Sequence, residues 1–245
     1  MKSVRAIIFD VYKTILDVGE APLDAEKRWR KQFVQTFGNA PEVSLEELAD
    51  RCESIVGEDH HEARGRGIDH PEVNWPTVMK RALPILNSLS EAKLANFIFR
   101  HAQLSRTLKL APSCGSLLRQ CVQNGILLGI ASNAQAYTLR ELRLALKGVH
   151  LDLAIFQPDL IFWSFQNGFS KPDPYVFQTL RARLLNRRIV SAETLMVGDR
   201  EDNDLLPAGT VGWRTWQLSK SSEETNRGNW ESFARFLFGP NALTG

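Results

Sequence analysis

Ala6-Ile7-Ile8-Phe9-Asp10-Val11-Tyr12-Lys13-Thr14 begins with four apolar residues in succession and then stops on a carboxylate. A strand with one face in water alternates apolar and polar side chains. A run without alternation is buried on both faces, as in a parallel sheet covered by helices. Runs of the same kind recur at residues 126–131, 160–163 and 194–197, with a weaker one at 211–216. Helical periodicity fills the gaps at residues 114–123, 136–146 and 174–185. This alternation predicts an α/β fold with a doubly wound parallel, Rossmann-like sheet core.

One gap breaks the rhythm. Residues 17–109 show no convincing strand, but carry helical periodicity at 24–37, 44–56, 75–83 and 90–104. Ser44 with Glu47 three residues on is a capping-box signature, Ser90 can cap the last helix, and Pro84 ends the third. A crossover this long is no simple βα loop. It predicts an inserted helical bundle over residues 17–109, with the core formed by 1–16 and 110–245. The Gly- and Pro-containing stretches Asp17–Pro22 and Lys109–Gly115 are the expected hinges.

Composition bounds the function classes. The 245 residues are 43% hydrophobic, which excludes a wholly disordered chain. Thirty Lys and Arg against 28 Asp and Glu leave a net charge of +2, too balanced for nucleic acid or an anionic membrane as the main partner. No stretch approaches the roughly 18 apolar residues of a membrane span, and the short run at residues 6–9 is no secretory h-region. Cys52, Cys114 and Cys121 form no even framework, so free thiols in a reducing cytoplasm are expected. The expected species is a monomer or homodimer acting on a small molecule.

Open α/β sheets place their sites at the carboxyl ends of the strands. Asp10-Val11-Tyr12-Lys13-Thr14 follows the first run, and Ser132-Asn133 follows the second. Downstream of the third lies Ser170-Lys171-Pro172-Asp173-Pro174. After the fourth comes Gly198-Asp199, with Asp204 five residues beyond Asp199. These four stations, in this order, resemble the haloacid dehalogenase-like (HAD) hydrolase superfamily. Its motifs are DxxxT, a Ser or Thr, a Lys often in KPxP, and GDxxxxD. The inserted helical unit resembles that superfamily's four-helix cap.

The resemblance implies an Asp10 nucleophile and a catalytic set of Asp10, Thr14, Ser132 and Lys171. A carboxylate is a weak nucleophile, so charge on the transferred group must be neutralised. Lys171, the Ser132 hydroxyl and N–H groups around Tyr12 and Asn133 can supply that, which makes Ser132, Asn133 and Lys171 the expected phosphate-binding residues. Asp199 beside Asp10 is a repelling pair that a hard cation with oxygen ligands would resolve. By resemblance, Asp10, the backbone carbonyl of Tyr12 and Asp199 bind Mg²⁺, and Asp204 orients that shell or Lys171.

Two motifs point in different directions. Many phosphatases of this superfamily carry a second Asp, an acid/base, two residues after the nucleophile, where this chain has Tyr12. Tyr12 and Thr14 resemble the DxYGT of 2-haloacid dehalogenases, which need no metal, although Lys13 replaces the Gly. Those dehalogenases usually lack the aspartate that Asp199 supplies. The expected activity is a Mg²⁺-dependent phosphatase of a small phosphorylated metabolite. A metal-independent 2-haloacid dehalogenase is the alternative, and a catalytically weak binding or regulatory relative is a third. In the cap, Arg30 loosely resembles the dehalogenase substrate arginine, with a solvated helix face as the rival reading. Arg64 and Arg66 sit in a glycine-flanked stretch read as a loop that could meet an anionic substrate, or simply be exposed. His60 and His61 lack metal-ligand spacing and are read as surface residues, and the aromatic residues at 162–169 as core or cover.

Overall fold

The computed structural model describes residues 3–219 and 226–240. The chain begins with β1 (Ala6–Phe9) and β2 (Leu16–Gly19), then four helices: α1 (Ala25–Phe37), α2 (Leu45–Gly65), α3 (Trp75–Ala82) and α4 (Glu91–Ala102). Next come β3 (Thr107–Leu110), α5 (Cys114–Gln123), β4 (Leu127–Ser132), α6 (Ala136–Lys147) and β5 (Phe156–Trp163). The short α7 (Ser164–Asn167) and α8 (Pro174–Asn186) lead to β6 (Thr194–Gly198) and a π turn, Glu201–Leu205. The chain continues through α9 (Leu206–Thr210), β7 (Arg214–Leu218), β8 (Arg227–Gly228) and α10 (Trp230–Phe238).

The elements divide into two compact units, one formed by Met1–Asp17, Lys109–Ala134 and Leu142–Gly245, the other by Val18–Leu108 and Gln135–Glu141. In the first unit six strands run in the order β5-β4-β1-β6-β7-β8, and every pairing is parallel. The non-alternating first run lies at the centre, and Ile7, Ile8 and Phe9 have no solvent exposure. Burying such side chains contributes about 1.5–3 kcal/mol each. Ala6 and Ile8 join Phe177 and Leu180 of α8 in one cluster. Phe9 faces the other way, its ring 6.0 Å from that of Trp230 on α10. Helices therefore cover both faces, as the absence of alternation predicts.

The second unit packs its helices around Trp29, which has no solvent exposure. Its ring meets Phe33 at 5.4 Å, Phe97 at 5.9 Å and His101 at 5.7 Å, and its Nε1 donates to the Val43 carbonyl at 3.0 Å. The capping box is present: Ser44 Oγ accepts from the Glu47 N–H at 3.1 Å, and the Ser44 N–H donates to Glu47 Oε2 at 2.7 Å. Ser90 occupies the cap position of α4 without a side-chain cap hydrogen bond. The unit also takes in Gln135–Glu141, within the segment expected to belong to the core. Buried Glu141 accepts from Gln103 Nε2 at 2.6 Å and from Arg106 at 3.3 Å, and these bonds hold that segment.

Several element bounds differ from expectation for identifiable reasons. β5 starts at Phe156, earlier than 160, and its pairing with β4 shifts register between Leu128 and Ile130. Pro158 sits in that irregular stretch of an edge strand, where proline is tolerated but signals a turn in sequence. β7 begins at Arg214 because Gly212, at φ 78°, makes the turn read as strand. Residues of the two expected hinge stretches contribute to a two-stranded sheet, β2 with β3. Helix α2 runs on through Gly65, so Arg64 is helical and not in a loop.

Candidate active site

Asp10, Ser132 and Asp199 occupy the carboxyl ends of three adjacent strands, because β1 lies between β4 and β6 in the sheet. The chain leaves β1 toward β4 and later returns to the opposite side with β6, so the switch point of the winding falls at β1. The Asp10 N–H donates to the Val197 carbonyl at 2.9 Å, fixing the start of the first turn against β6. That turn closes on itself: the Lys13 N–H donates to Leu16 O at 2.7 Å, and the Leu16 N–H to Val11 O at 2.8 Å. Lys13 takes φ 57°, the left-handed region that favours glycine. The backbone there explains why a glycine would suit this position. Tyr12, half-buried, bridges to Leu16 in the same turn.

Lys171 lies among the acids. Its Nζ donates to Asp10 Oδ1 at 2.7 Å and to Asp204 Oδ1, with the lysine only 3% exposed and Asp204 1%. Asn133 places the lysine: its side chain donates from Nδ2 to the Lys171 carbonyl at 2.9 Å and accepts the Lys171 N–H at 2.7 Å. The Asn133 amide is thereby engaged with backbone, so any contribution to an anion would come from its own N–H. Asp204 reaches the group from the π turn, its Oδ2 accepting the Arg200 N–H at 3.2 Å. Gly198 makes room for it. A Cβ on Gly198 would lie 2.3 Å from Asp204 Oδ2.

Carboxylate oxygens of Asp10, Asp199 and Asp204 lie within 4.8 Å of one another, the one cluster of three or more metal-ligating side chains found among the described residues. Burial raises the Asp10 pKa to about 6, with Lys171 pulling it down and Asp204 pushing it further up. Asp199 is also raised, first by burial and then by Asp204. Burial alone would lower Lys171, but Asp10 and Asp204 outweigh it and hold the ammonium above its ordinary value. Three carboxylates thus face one buried ammonium. An all-oxygen donor set short of positive charge fits a hard divalent cation such as Mg²⁺. Asp204 already engages Lys171 and Arg200, which leaves Asp10 and Asp199 as the side chains suited to hold the ion.

Two buried hydroxyls add donors. Thr14 Oγ1 and Ser132 Oγ have no hydrogen-bond partner among the described residues. Buried polar groups are normally satisfied, so a pair of orphans flanking Asp10 in sequence and sheet order suits an incoming anion. Two further residues, Ser164 and Gln217, support the site without belonging to its sequence motifs. Ser164 Oγ accepts the Ala134 N–H at 2.8 Å and donates to Ala134 O at 3.2 Å, anchoring the chain just past Asn133. Gln217 Nε2 donates to the Asp199 carbonyl at 3.1 Å. A polar residue directly after a buried strand was the available signal for Ser164; Gln217 offered none.

A family model of haloacid dehalogenase-like hydrolases matches residues 4–212. The chain belongs to the haloacid dehalogenase-like hydrolase family. A comparison with curated protein sequences found no match. Among solved structures the chain is similar to a 2-haloacid dehalogenase from Pseudomonas syringae pv. Tomato DC3000, with TM-score 0.61, 18% identity and coverage of 96% of this chain and 98% of that one. It is similar to a HAD phosphatase from Thermococcus onnurineus at TM-score 0.56 and 20% identity, over 96% and 99% of the two chains. It is also similar to the HAD-hydrolase YfnB from Bacillus subtilis, described as bound to magnesium, at TM-score 0.55 and 20% identity, over 97% and 100%. At these identities the likeness shows the HAD fold.

The arginines and histidines singled out in the sequence belong to the second unit of this HAD-like hydrolase. Arg30 is exposed and pairs with Glu26 one turn away at 2.8 Å, while its neighbour Trp29 is core. Arg66 pairs with Glu62, and Arg64 Nε reaches the Asp69 carbonyl at 3.4 Å. His60 and His61 lie on α2, outside the carboxylate cluster. No helix of the described residues is long and apolar enough to cross a membrane.

Proposed function

We propose that this hydrolase is a Mg²⁺-dependent phosphatase of a small phosphorylated metabolite, with Asp10 as nucleophile. The observation that carries it is the Asp10–Asp199–Asp204 cluster, whose negative charge exceeds what Lys171 balances. A site built for a carboxylate substrate without metal has no use for Asp199 beside its nucleophile. Bound Mg²⁺ would neutralise charge on the phosphoryl group during transfer. Lys171 holds one Asp10 oxygen and the other attacks phosphorus. The phosphorus–oxygen bond to the leaving group breaks, and its electron pair departs with that oxygen. Lys171, with the Ser132 and Thr14 hydroxyls, meets the charge on the transferred group. Water then attacks phosphorus in the aspartyl phosphate, freeing Asp10 and phosphate and losing its proton to solvent.

With Tyr12 in place of an acid/base carboxylate, substrates with good leaving groups are favoured: aryl phosphates, acyl phosphates and anhydrides. A 2-haloacid dehalogenase is the second reading, favoured by Tyr12 together with the left-handed backbone at Lys13. The buried free thiols of Cys52, Cys114 and Cys121 suit a reducing cytoplasm. A monomer or homodimer acting on a small anion, without nucleic acid or membrane, completes the proposal.

The deciding experiment measures phosphate release from p-nitrophenyl phosphate with Mg²⁺ and with EDTA, beside chloride release from 2-chloropropionate without metal. Mg²⁺-dependent phosphate release that Asp10→Asn abolishes is expected. Chloride release without metal, and no phosphate release, would overturn the phosphatase reading in favour of the second.

A further inference from the structure

The second unit contains a cavity that the proposed chemistry does not use. It has a volume of about 260 Å³ and lies between α3, α4 and the first turns of α6, with Trp75, Ala92, Ala95, Phe99, Tyr137 and Arg140 among its lining residues. Three aromatic rings and two alanine methyl groups make its walls mainly apolar. The cation at its edge is held in a defined place. The Arg140 guanidinium carbon sits 3.8 Å from the centre of the Phe99 ring, and its NH1 donates to Asn96 Oδ1 at 3.0 Å. Phe99 and Asn96 lie on α4 one turn apart, so a single helix face fixes the guanidinium from below and from one side.

Arg140 also lacks the carboxylate partner that several other arginines of this unit have. Arg81 pairs with Asp59, Arg66 with Glu62 and Arg106 with Glu141. Among the described residues no carboxylate pairs with Arg140, and its remaining N–H groups have no acceptor. A guanidinium stacked on an aromatic ring has given up part of its conformational freedom, and it keeps a fork of donors matched to a carboxylate. Apolar walls beside such a fork select a planar hydrophobic body with one negative end. The volume suits one ring plus its acid group, since an apolar cavity of about 150 Å³ already holds benzene.

We propose that this cavity is a binding site for a small aromatic carboxylate, with the ring against Trp75, Phe99 and Tyr137 and the carboxylate on Arg140. The test is ligand-detected NMR on the full chain with benzoate, and with uncharged benzamide for comparison. Excess inorganic phosphate and Mg²⁺ keep the Asp10 site from reporting. Benzoate is expected to bind at millimolar concentration and more tightly than benzamide. Arg140→Gln should weaken benzoate about tenfold or more and leave benzamide unchanged, as expected for a charge-assisted hydrogen bond. Ala95→Trp, which fills the cavity from an exposed helix position, should abolish both. Circular dichroism of both variants verifies the fold. No benzoate binding by the folded wild-type chain, or equal benzoate affinity after Arg140→Gln, would overturn the proposal. So would a dimer in sedimentation that Ala95→Trp dissociates while benzoate fails to bind, since the cavity would then cover a second copy.

Discussion

Asn133 and Lys171 face each other through a closed pair of hydrogen bonds, Nδ2 to the lysine carbonyl at 2.9 Å and lysine N–H to Oδ1 at 2.7 Å. The asparagine mimics a strand edge and fixes the backbone from which Lys171 reaches Asp10. Asn133→Ala removes both partners and leaves a part-buried N–H and C=O unpaired, at a cost of about 2 kcal/mol. Urea unfolding should show that loss, and turnover should fall about tenfold or more as Nζ drifts from Asp10. Asn133→Asp retains the acceptor for the lysine N–H and loses the donor, so its stability should lie between wild type and alanine.

Gly198 and Asp204 are in closer approach than any side chain at 198 would permit. A methyl group there meets the Asp204 side chain at 2.3–2.7 Å, so Gly198→Ala must displace Asp204 or bend β6. Displacement takes Asp204 off Lys171. Activity is expected to drop by about 10²-fold, with a stability loss of about 1–3 kcal/mol. Gly57, inside α2 with open space around it, is the control. Gly57→Ala should stabilise the protein by about 0.5–1 kcal/mol in the same denaturation assay, with activity unchanged.

The crowded carboxylates make a prediction for the metal-free protein. A carboxyl whose pKa is raised on folding binds its proton more tightly in the native state, so stability falls as pH rises from the unfolded value through the folded one. For Asp10 that window runs from 3.8 to about 6. In EDTA above about pH 7, Asp10→Asn should therefore be more stable than wild type by about 1–3 kcal/mol, and the difference should vanish below about pH 4. Millimolar Mg²⁺ should raise the melting temperature of wild type by mass action. Asp199→Asn should respond weakly. An identical Mg²⁺ response in wild type and Asp199→Asn would remove Asp199 from the ligand set.

What was legible in the sequence depended on contact range. Ala6–Phe9 reveals a central strand because burial on both faces erases alternation, and Asp10, Ser132 and Asp199 stand out because each follows such a run. The capping box at Ser44 and Glu47 spans three residues and is read directly. Pro158 hid the start of β5, since the residue that marks a turn is also accepted in an irregular edge strand. Gly57 and the polar run Glu58-Asp59-His60-His61-Glu62 hid the second half of α2. The Asn133 hydrogen bonds, the approach of Asp204 to Gly198 and the hold of Arg106 on Glu141 depend on how chain segments meet, and no local pattern encodes them.

His101 provides the clearest pH test of the second unit. It lies against Trp29 at a ring separation of 5.7 Å, and its Nε2 has no partner among the described residues. Burial lowers its pKa to about 4 from an ordinary 6.5. The sign follows from which state holds the proton. Between those values the unfolded chain is protonated at this histidine and the folded chain is not, so acidification favours unfolding. Stability should fall by about 2 kcal/mol from this group between about pH 7.5 and pH 5. His101→Phe keeps a ring against Trp29 and has no proton to bind. Urea titrations of both proteins across that range should show a flatter pH dependence in the variant by that amount. Parallel curves would mean that the imidazole is solvated in the native protein and that Trp29 does not exclude water from it.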